Sequence, residues 1–300
     1  MKQSKWMRML WLAGLLGWSM VWGAQEQQDS GSNRAVVRLG QISLSFYAVT
    51  GGVVAEVLER LGHTVEISQG SHAQIFPRLA AGDVDLLVAA WLPYGHAVYW
   101  SQYGGSAEPL ATLYEGARFA WMVPSYIPTS AVASIEDLTK PDVLARMDRT
   151  IQGTGRDSGN MMVSAEAMQA YGLEQAGYRL VPGSLEQFHG AYDRGIAEQR
   201  WFVMPVWWPH YINRVGNMRA LEEPRQLLGP PNSGVLVAGK PWLAQAPAET
   251  VRVLKRIHLG LDAVAEMDYR VNVGKMQPRD AARSWMRDNA QSVQAWFGPE

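Results

Sequence analysis

The first third of the chain alternates between strand-like and helix-like spacing of apolar residues. Residues 35–43 form a β-branched run that predicts a strand, and residues 48–61 follow with apolar side chains on one helical face. Residues 63–69 predict a second strand and residues 72–82 a short helix. A third strand is predicted over residues 83–91, where a near-continuous apolar run is typical of a fully buried parallel strand.

A second series of the same kind begins near residue 117. Strands are predicted at 117–124, 150–155, 178–183, 200–208 and 233–239, and helices at 134–147, 158–171 and 185–198. Ser134 is placed as the N-cap of the first of these helices, with Asp137 three residues later in a box-like helix start. Residues 247–297 predict a helical C-terminal region.

Strands separated by helical segments indicate an α/β architecture with parallel sheets. Two such series followed by a helical tail predict two lobes. Lobe I would comprise residues 35–117 and 236–300, and lobe II residues 118–235. Ligands of such sheets bind beyond the carboxyl ends of the strands, so the sequence predicts a ligand cleft between the lobes.

The N-terminus has the pattern of an export signal. Residues 1–8 carry three basic side chains and no acid, residues 9–22 are apolar, and small residues follow at Gly23 and Ala24. This pattern predicts a secretory signal peptide over residues 1–24 and a polar linker over 25–34. An uncleaved anchor is the alternative, but the apolar run is shorter than the ~20 residues of a spanning helix.

Composition narrows the compartment and the function class. The chain has no cysteine, so we expect no disulfides and no lipid-anchored cysteine. This predicts a free, monomeric protein in a Gram-negative periplasm. A net charge of −1 gives no electrostatic basis for binding nucleic acid. Nucleotide-loop, hydrolase and zincin motifs are missing, and the six histidines show no metal-ligand spacing. We therefore expect no catalytic residues, no metal and no cofactor.

Aromatic residues gather at the predicted ends of two strands. Trp91, Tyr94 and His96 follow the third strand, and the segment PVWWPHYI brings Trp207, Trp208 and His210 to the end of a strand in the second series. Large aromatic side chains often do no more than fill a core. Two clusters at matching positions, each beside a proline that ends its strand, favour a binding site shared by both lobes.

Four segments also share their residue pattern with one protein family. They are LAAGDVDLLVAAWLPYGHAVYW, EGARFAWMVPSYIPTSAVASIEDL, VWWPHYINRVGNMRALEEP and SWMRDNAQSVQAWF. They resemble the glycine betaine/choline-type substrate-binding proteins of ABC importers over residues 36–297. The resemblance implies a two-lobed α/β periplasmic binding protein fold, type II-like, that closes around a small molecule.

The chemistry of such a ligand fits the aromatic clusters. A quaternary ammonium group has no N–H to donate, whereas an aromatic face attracts the cation by about 0.5–2 kcal/mol per ring. The resemblance carries Trp91 and Trp207 over as rings of an aromatic cage. His210 matches a histidine of the family pattern. It would either contact the ligand's carboxylate or have a purely structural role.

The remaining site residues are assigned less directly. Free amides at Ser45, Phe46 and Tyr47, where a helix begins, would receive a carboxylate, and Tyr47 would add a ring or a hydroxyl. The segment 153–164 lacks the aromatic residue that the family usually carries there. Either another ring, such as Trp208, Tyr94 or Tyr47, completes the cage, or the ligand is not glycine betaine. In the same segment, Asp157 offers a counter-charge to a cation or, with Ser158, a helix N-cap.

Two functions from different classes follow. The first is a periplasmic solute-binding component that delivers glycine betaine, choline, carnitine or proline betaine to an ABC permease. The second is an exported carbohydrate-binding protein or enzyme that stacks sugars on tryptophan faces. Sugar sites pair their rings with several Asp, Glu, Asn or Arg side chains, whereas histidines and tyrosines surround Trp91 and Trp207 here, which favours the first function.

Overall fold

A computed structural model describes residues 36–298. The strands are β1 (Val36–Ile42), β2 (Thr64–Gly70), β3 (Leu86–Leu92), β4 (Ala107–Pro124), β5 (Thr150–Gln152), β6 (Arg179–Val181), β7 (Met204–Trp208), β8 (Met218–Ala220) and β9 (Asn232–Gly239). The helices are α1 (Ser45–Arg60), α2 (His72–Ala81), α3 (Ala97–Tyr103), α4 (Pro141–Leu144), α5 (Gly159–Ala170), α6 (Leu185–Ala197), α7 (Ile212–Val215), α8 (Lys240–Leu243), α9 (Ala248–Lys255), α10 (Leu261–Asn272), α11 (Pro278–Asp288) and α12 (Ala290–Phe297).

Seven strands form one mixed sheet in the order β2-β1-β3-β9-β4-β7, with β8 also paired to β4, while β5 pairs with β6. β1 runs parallel to β2 and β3, and β5 runs parallel to β6. β9 is antiparallel to β3 and β4, and β4 is antiparallel to β7 and β8. The expectation of parallel sheets is therefore wrong for the central strands. The local spacing of apolar residues cannot show that β9, which comes last among the strands in sequence, lies between β3 and β4 in the sheet.

Strand β4 joins the two halves of the sheet. Its residues 107–117 pair with β9, residues 118–122 with β7 and residues 122–124 with β8. Gly116, near the junction of these segments, has a φ of +78°, a conformation that side-chain-bearing residues rarely adopt. The sequence predicted only the second half of this strand, because the residues before it lack a regular apolar alternation.

The described residues form two hydrophobic cores. The first packs α1 against β1, β3 and the C-terminal helices α10 and α11, and it also contains buried side chains of β9. The second draws its buried side chains from residues 121–228, with the indole of Trp121 donating a hydrogen bond of 3.0 Å to Ser164 Oγ. These residues fall inside the range predicted for lobe II, and the lobe boundaries stay a prediction.

Two helix boundaries differ from the sequence expectation. Helix α1 begins at Ser45 rather than at residue 48, and its N-cap, Leu44, has no side chain that could signal a helix start. The helix predicted over 134–147 is a short 3-10 turn, Ile135–Thr139, followed by α4. The predicted capping box of Ser134 and Asp137 is present, but Pro141 cannot continue a preceding helix and starts a new one.

The predicted signal peptide and linker, residues 1–34, lie outside the described part of the chain. Between residues 36 and 298, no helix combines the length and the apolar character needed to cross a membrane.

Candidate functional site

A cavity lies where the ends of β3 and β7 meet the first turns of α1 and α5. It is lined by Leu44, Phe46, Tyr47, His72, Trp91, His96, Phe119, Thr154, Ser158, Gly159, Asn160 and Trp207. Elements from both cores thus contribute to one cavity, at the edge of the sheet where the sequence placed the cleft.

Trp91 is held rigidly in the wall of this cavity. Its side chain is 2% exposed, and its indole Nε1 donates a hydrogen bond of 2.9 Å to the hydroxyl of Tyr114. Gly234 pairs with Trp91 across β3 and β9, and a Cβ at Gly234 would come within 2.2 Å of the Tyr114 ring. The glycine therefore makes room for the tyrosine that orients Trp91.

Trp207 is the second tryptophan of the cavity. It is 3% exposed in β7, with the Phe188 ring 5.4 Å away and His210 edge-on at 4.5 Å, centroid to centroid. Its indole Nε1 is buried and has no hydrogen-bond partner. Successive side chains of a strand point to opposite faces, which explains why Trp207 lines the cavity and its neighbour Trp208 does not.

Two phenylalanines complete the ring cluster. Phe46, in the first turn of α1, lies 5.9 Å from both Trp91 and Trp207, and Phe119 lies 5.1 Å from Trp91. Sequence reasoning missed Phe119 as a site residue. Phe119 is the direct partner of Trp207 across β4 and β7, so the antiparallel pairing was the information needed to find it.

Tyr47, His72 and His96 form a polar group in the same lining. His96 Nδ1 accepts the backbone N–H of Trp91 at 3.0 Å, so in the neutral ring Nε2 carries the proton and faces the Tyr47 hydroxyl oxygen at 3.4 Å. Burial lowers the pKa of His72 to about 4 and, together with the nearby His72 ring, lowers the pKa of His96 well below its usual range. Both imidazoles are therefore neutral at pH 7.

Two helices begin at the cavity. The N-cap carbonyl of α1, Leu44, bonds to the N–H of Ala48, which leaves the first three amides of the helix without intrahelical acceptors. At α5, Ser158 Oγ accepts the N–H of Met161 and caps the helix, as one of the two sequence readings proposed. The amides of Gly159 and Asn160 remain available at the lining.

Three of the sequence-predicted site residues lie behind or beside the cavity rather than in its lining. Tyr94 is 56% exposed, and the Arg118 guanidinium covers the Trp208 ring at 4.3 Å. His210 is buried behind Trp207, where its Nδ1 accepts the backbone N–H of Ile212 at 3.2 Å. Burial and the neighbouring His189 lower the pKa of His210 well below its usual range.

Two further predicted residues make other contacts. The Ser45 hydroxyl receives a hydrogen bond of 3.0 Å from Asn272 Nδ2, on the side of α1 that faces α10. Asp157 also lies outside the lining, and its carboxylate accepts the backbone N–H of Ala73 at 3.0 Å. Of the predicted ligand contacts, the structure brings together Trp91, Trp207, Phe46 and Tyr47.

The electrostatics of the lining are simple. Among the described residues that form it, none is an Asp, Glu, Lys or Arg. The described residues also contain no group of three or more His, Asp or Glu side chains that could hold a metal ion. The cavity therefore offers aromatic faces, neutral polar groups and helix-terminal amides.

The mixed α/β fold is that of the two-lobed substrate-binding proteins. The chain belongs to the family described as the substrate binding domain of the ABC-type glycine betaine transport system, whose sequence profile matches residues 35–288. Substrate-binding proteins of ABC importers act outside the cytoplasmic membrane.

Solved structures support the fold over nearly the whole described chain. Lactococcal OpuAC in its closed-liganded conformation, complexed with glycine betaine, has a TM-score of 0.78 at 26% identity, covering 88% of this chain and 100% of that one. The glycine betaine/L-proline-binding protein ProX from Borrelia burgdorferi also has a TM-score of 0.78, at 23% identity, covering 88% of this chain and 97% of that one. At 23% identity, the comparison with ProX supports the fold alone.

A curated relative matches a shorter segment. The glycine betaine/carnitine transport binding protein GbuC of Listeria monocytogenes is 22% identical over 157 residues, which is 52% of this chain and 52% of GbuC. The match therefore spans about half the length of that relative.

Proposed function

We propose that the protein captures a small betaine, with glycine betaine as the first candidate, and delivers it to the permease of an ABC importer. The observation that carries this proposal is the cluster of four rings around one cavity: Phe46, Trp91, Phe119 and Trp207. Such a cluster suits a cation that cannot donate hydrogen bonds, because each ring attracts it through its negative face.

The polar part of the lining suits a carboxylate. The free amides at the start of α1 and α5 are donors at the positive ends of two helix dipoles. The hydroxyl of Tyr47 adds a donor, because its oxygen already accepts the proton of His96 Nε2. A betaine would thus place its cation among the rings and its anion near these donors.

The charge of the lining favours a zwitterion over a simple cation. Among the described residues, no acidic side chain reaches the lining to neutralise a ligand with a net charge of +1. Choline would therefore be buried as an uncompensated cation, which is unfavourable in a medium of low polarity. Glycine betaine, proline betaine and carnitine each have no net charge.

The remaining features of the proposal follow from family membership and sequence. We infer a monomeric binding protein that catalyses no reaction, exported by the predicted signal peptide to the periplasm without a lipid anchor. The lobes, predicted as residues 35–117 with 236–300 and 118–235, would close on the ligand by bending near β4. The carbohydrate-binding alternative is not favoured, because the described residues of the lining include none of the acidic and arginine side chains that sugar sites usually supply.

Calorimetric titration of the purified protein tests this function. Glycine betaine, proline betaine and carnitine should bind, choline should bind more weakly, and maltotriose should produce no heat of binding. The sharpest comparison is 3,3-dimethylbutanoate, which has the shape and carboxylate of glycine betaine but no positive charge. It should lose most of the affinity, because the rings would then contribute burial without cation–π attraction. Equal affinity for this neutral-headed analogue would contradict the aromatic-cage assignment.

A further inference from the structure

Asp157 connects two parts of the protein that pack in different cores. Its carboxylate accepts the backbone N–H of Ala73 at 3.0 Å through Oδ2, and the Ser71 side chain also interacts with the carboxylate, both at the start of α2. Its backbone carbonyl accepts the hydroxyl of Tyr99, in α3, at 2.7 Å. We call this set of four residues (Asp157, Ser71, Ala73, Tyr99) the clasp.

The two sides of the clasp belong to separate cores. Helix α2 buries Ile75 and Phe76 in the first core, and Tyr99 stacks on Phe76 with ring centroids 5.0 Å apart. Asp157 directly precedes Ser158, the N-cap of α5, and α5 buries Ala167 and Met168 in the second core. The clasp therefore bridges elements that would move apart if the two cores separated.

The carboxylate is well placed for an attractive interaction. It sits at the N-terminus of α2, where the helix dipole and the free amides favour a negative charge. Burial works to raise the pKa of Asp157, but the hydrogen bonds from Ala73 and Ser71 outweigh it and hold the pKa below its usual range. The group is ionised at neutral pH, and its bonds are charge-assisted.

The clasp also borders the cavity wall. Ser158, Gly159 and Asn160 follow Asp157 directly and line the cavity, whereas Asp157 itself does not. Gly159 approaches the loop after β3 so closely that a Cβ there would lie 2.2 Å from the carbonyl oxygen of Gly95. Holding Asp157 against α2 thus keeps this wall in contact with the first core.

We propose that Asp157 is a positioning residue that clasps the start of α5 to α2 and slows ligand release without touching the ligand. The inference rests on the proposed function, because release is defined only for a ligand held in this cavity. It reassigns Asp157 from a counter-charge for the cation to a contact that sets the lifetime of the bound state.

Stopped-flow tryptophan fluorescence with glycine betaine tests the clasp. Asp157→Ala should raise the dissociation rate by about fivefold to thirtyfold, as expected for the loss of charge-assisted hydrogen bonds, with the association rate changed by less than about threefold. Asp157→Asn, which keeps an acceptor but loses the charge, should fall between the wild type and Asp157→Ala. Tyr99→Phe removes one hydroxyl but keeps the ring stacked on Phe76, and should raise the dissociation rate by a smaller factor.

Arg156→Ala is the matched control. Arg156 is the exposed neighbour of Asp157 in the same loop, so its loss should leave both rates unchanged. Thermal unfolding without ligand distinguishes the clasp from a purely structural role, since a clasp variant should melt close to the wild type. Wild-type dissociation rates in both Asp157→Ala and Tyr99→Phe would overturn the clasp while leaving the proposed function intact. A wild-type protein that binds no betaine would overturn the proposed function and the clasp together.

Discussion

Phe119 and Trp207 are direct partners across the antiparallel strands β4 and β7, and both rings line the same cavity. Side chains opposite each other on one face of a sheet lie within contact distance. Trp91 and Phe46 bring the other two rings from β3 and α1. The aromatic wall is therefore built from four elements that are far apart in sequence.

The tryptophans are expected to act through their π-faces. Trp91→Ala and Trp207→Ala should each weaken glycine betaine binding by about 1–2 kcal/mol, roughly fivefold to thirtyfold, in calorimetric titrations. Phenylalanine at either position should recover part of the loss, and leucine should not, although both bury similar apolar area. Trp285→Ala is the control, because Trp285 stacks on Trp296 at 6.5 Å in the C-terminal helices and should affect stability before affinity. Equal affinities of the phenylalanine and leucine variants would rule out cation–π binding.

Phe119 should distinguish a ligand with a cationic head group from one with a neutral head group. Phe119→Leu keeps an apolar side chain of similar bulk but removes a ring, so glycine betaine affinity should fall by about threefold to tenfold. The affinity for 3,3-dimethylbutanoate should change little, because that analogue gains no cation–π attraction from the ring. If the variant weakens both ligands equally, Phe119 contributes packing alone.

Gly234 is expected to control the orientation of Trp91. In Gly234→Ala the added Cβ would come within 2.2 Å of the Tyr114 ring, which would have to move away from the Trp91 indole. We expect a loss of about 1–3 kcal/mol in the free energy of unfolding, together with at least about tenfold weaker ligand binding. Gly105→Ala is the matched control, since a Cβ there meets no atom within 4 Å. Wild-type affinity in Gly234→Ala would show that Tyr114 does not orient Trp91.

The free energy of unfolding should fall as the pH is lowered from about 6.5 towards 4. Burial lowers the pKa of His72 and His189 to about 4 and lowers those of His96 and His210 well below the usual value. The unfolded chain binds protons on these rings in that range while the folded protein does not, so protonation favours unfolding.

Asp268 has the opposite effect on the pH dependence of the free energy of unfolding. Burial raises its pKa to about 6, so the folded protein binds this proton before the unfolded chain does, and stability from this group rises as the pH falls. The destabilisation from protonating the four histidines should exceed the stabilisation from protonating this one aspartate. Urea denaturation at a series of pH values checks the slope, and His189→Gln should reduce it, because it removes one of the buried rings with a lowered pKa. A free energy of unfolding that stays constant or increases between pH 6.5 and 4.5 would contradict this account.

The sequence determined most of the local elements and indicated the chemical class of the proposed ligand. Apolar periodicity located most strands and helices, because burial of one face dictates that spacing wherever the element lies in the fold. The tryptophans at the ends of β3 and β7 were identifiable from the strand, the proline and the family pattern that surround them. Their chemistry, flat electron-rich faces with few charged neighbours, already indicated a quaternary ammonium ligand.

Only the tertiary structure decided which rings share the cavity. Phe119 lines the cavity because β4 pairs with β7. Trp208 lies outside the cavity because its side chain is on the opposite face of β7 from Trp207. The His210 ring and the Ser45 hydroxyl bond to partners inside the protein, at Ile212 and Asn272, while the amide of Ser45 stays without an intrahelical acceptor. Asp157, a neighbour of the cavity in sequence, bonds instead to a helix more than eighty positions away. Strand register and long-range hydrogen bonds depend on contacts between distant segments, and the local pattern of a sequence carries no record of those contacts.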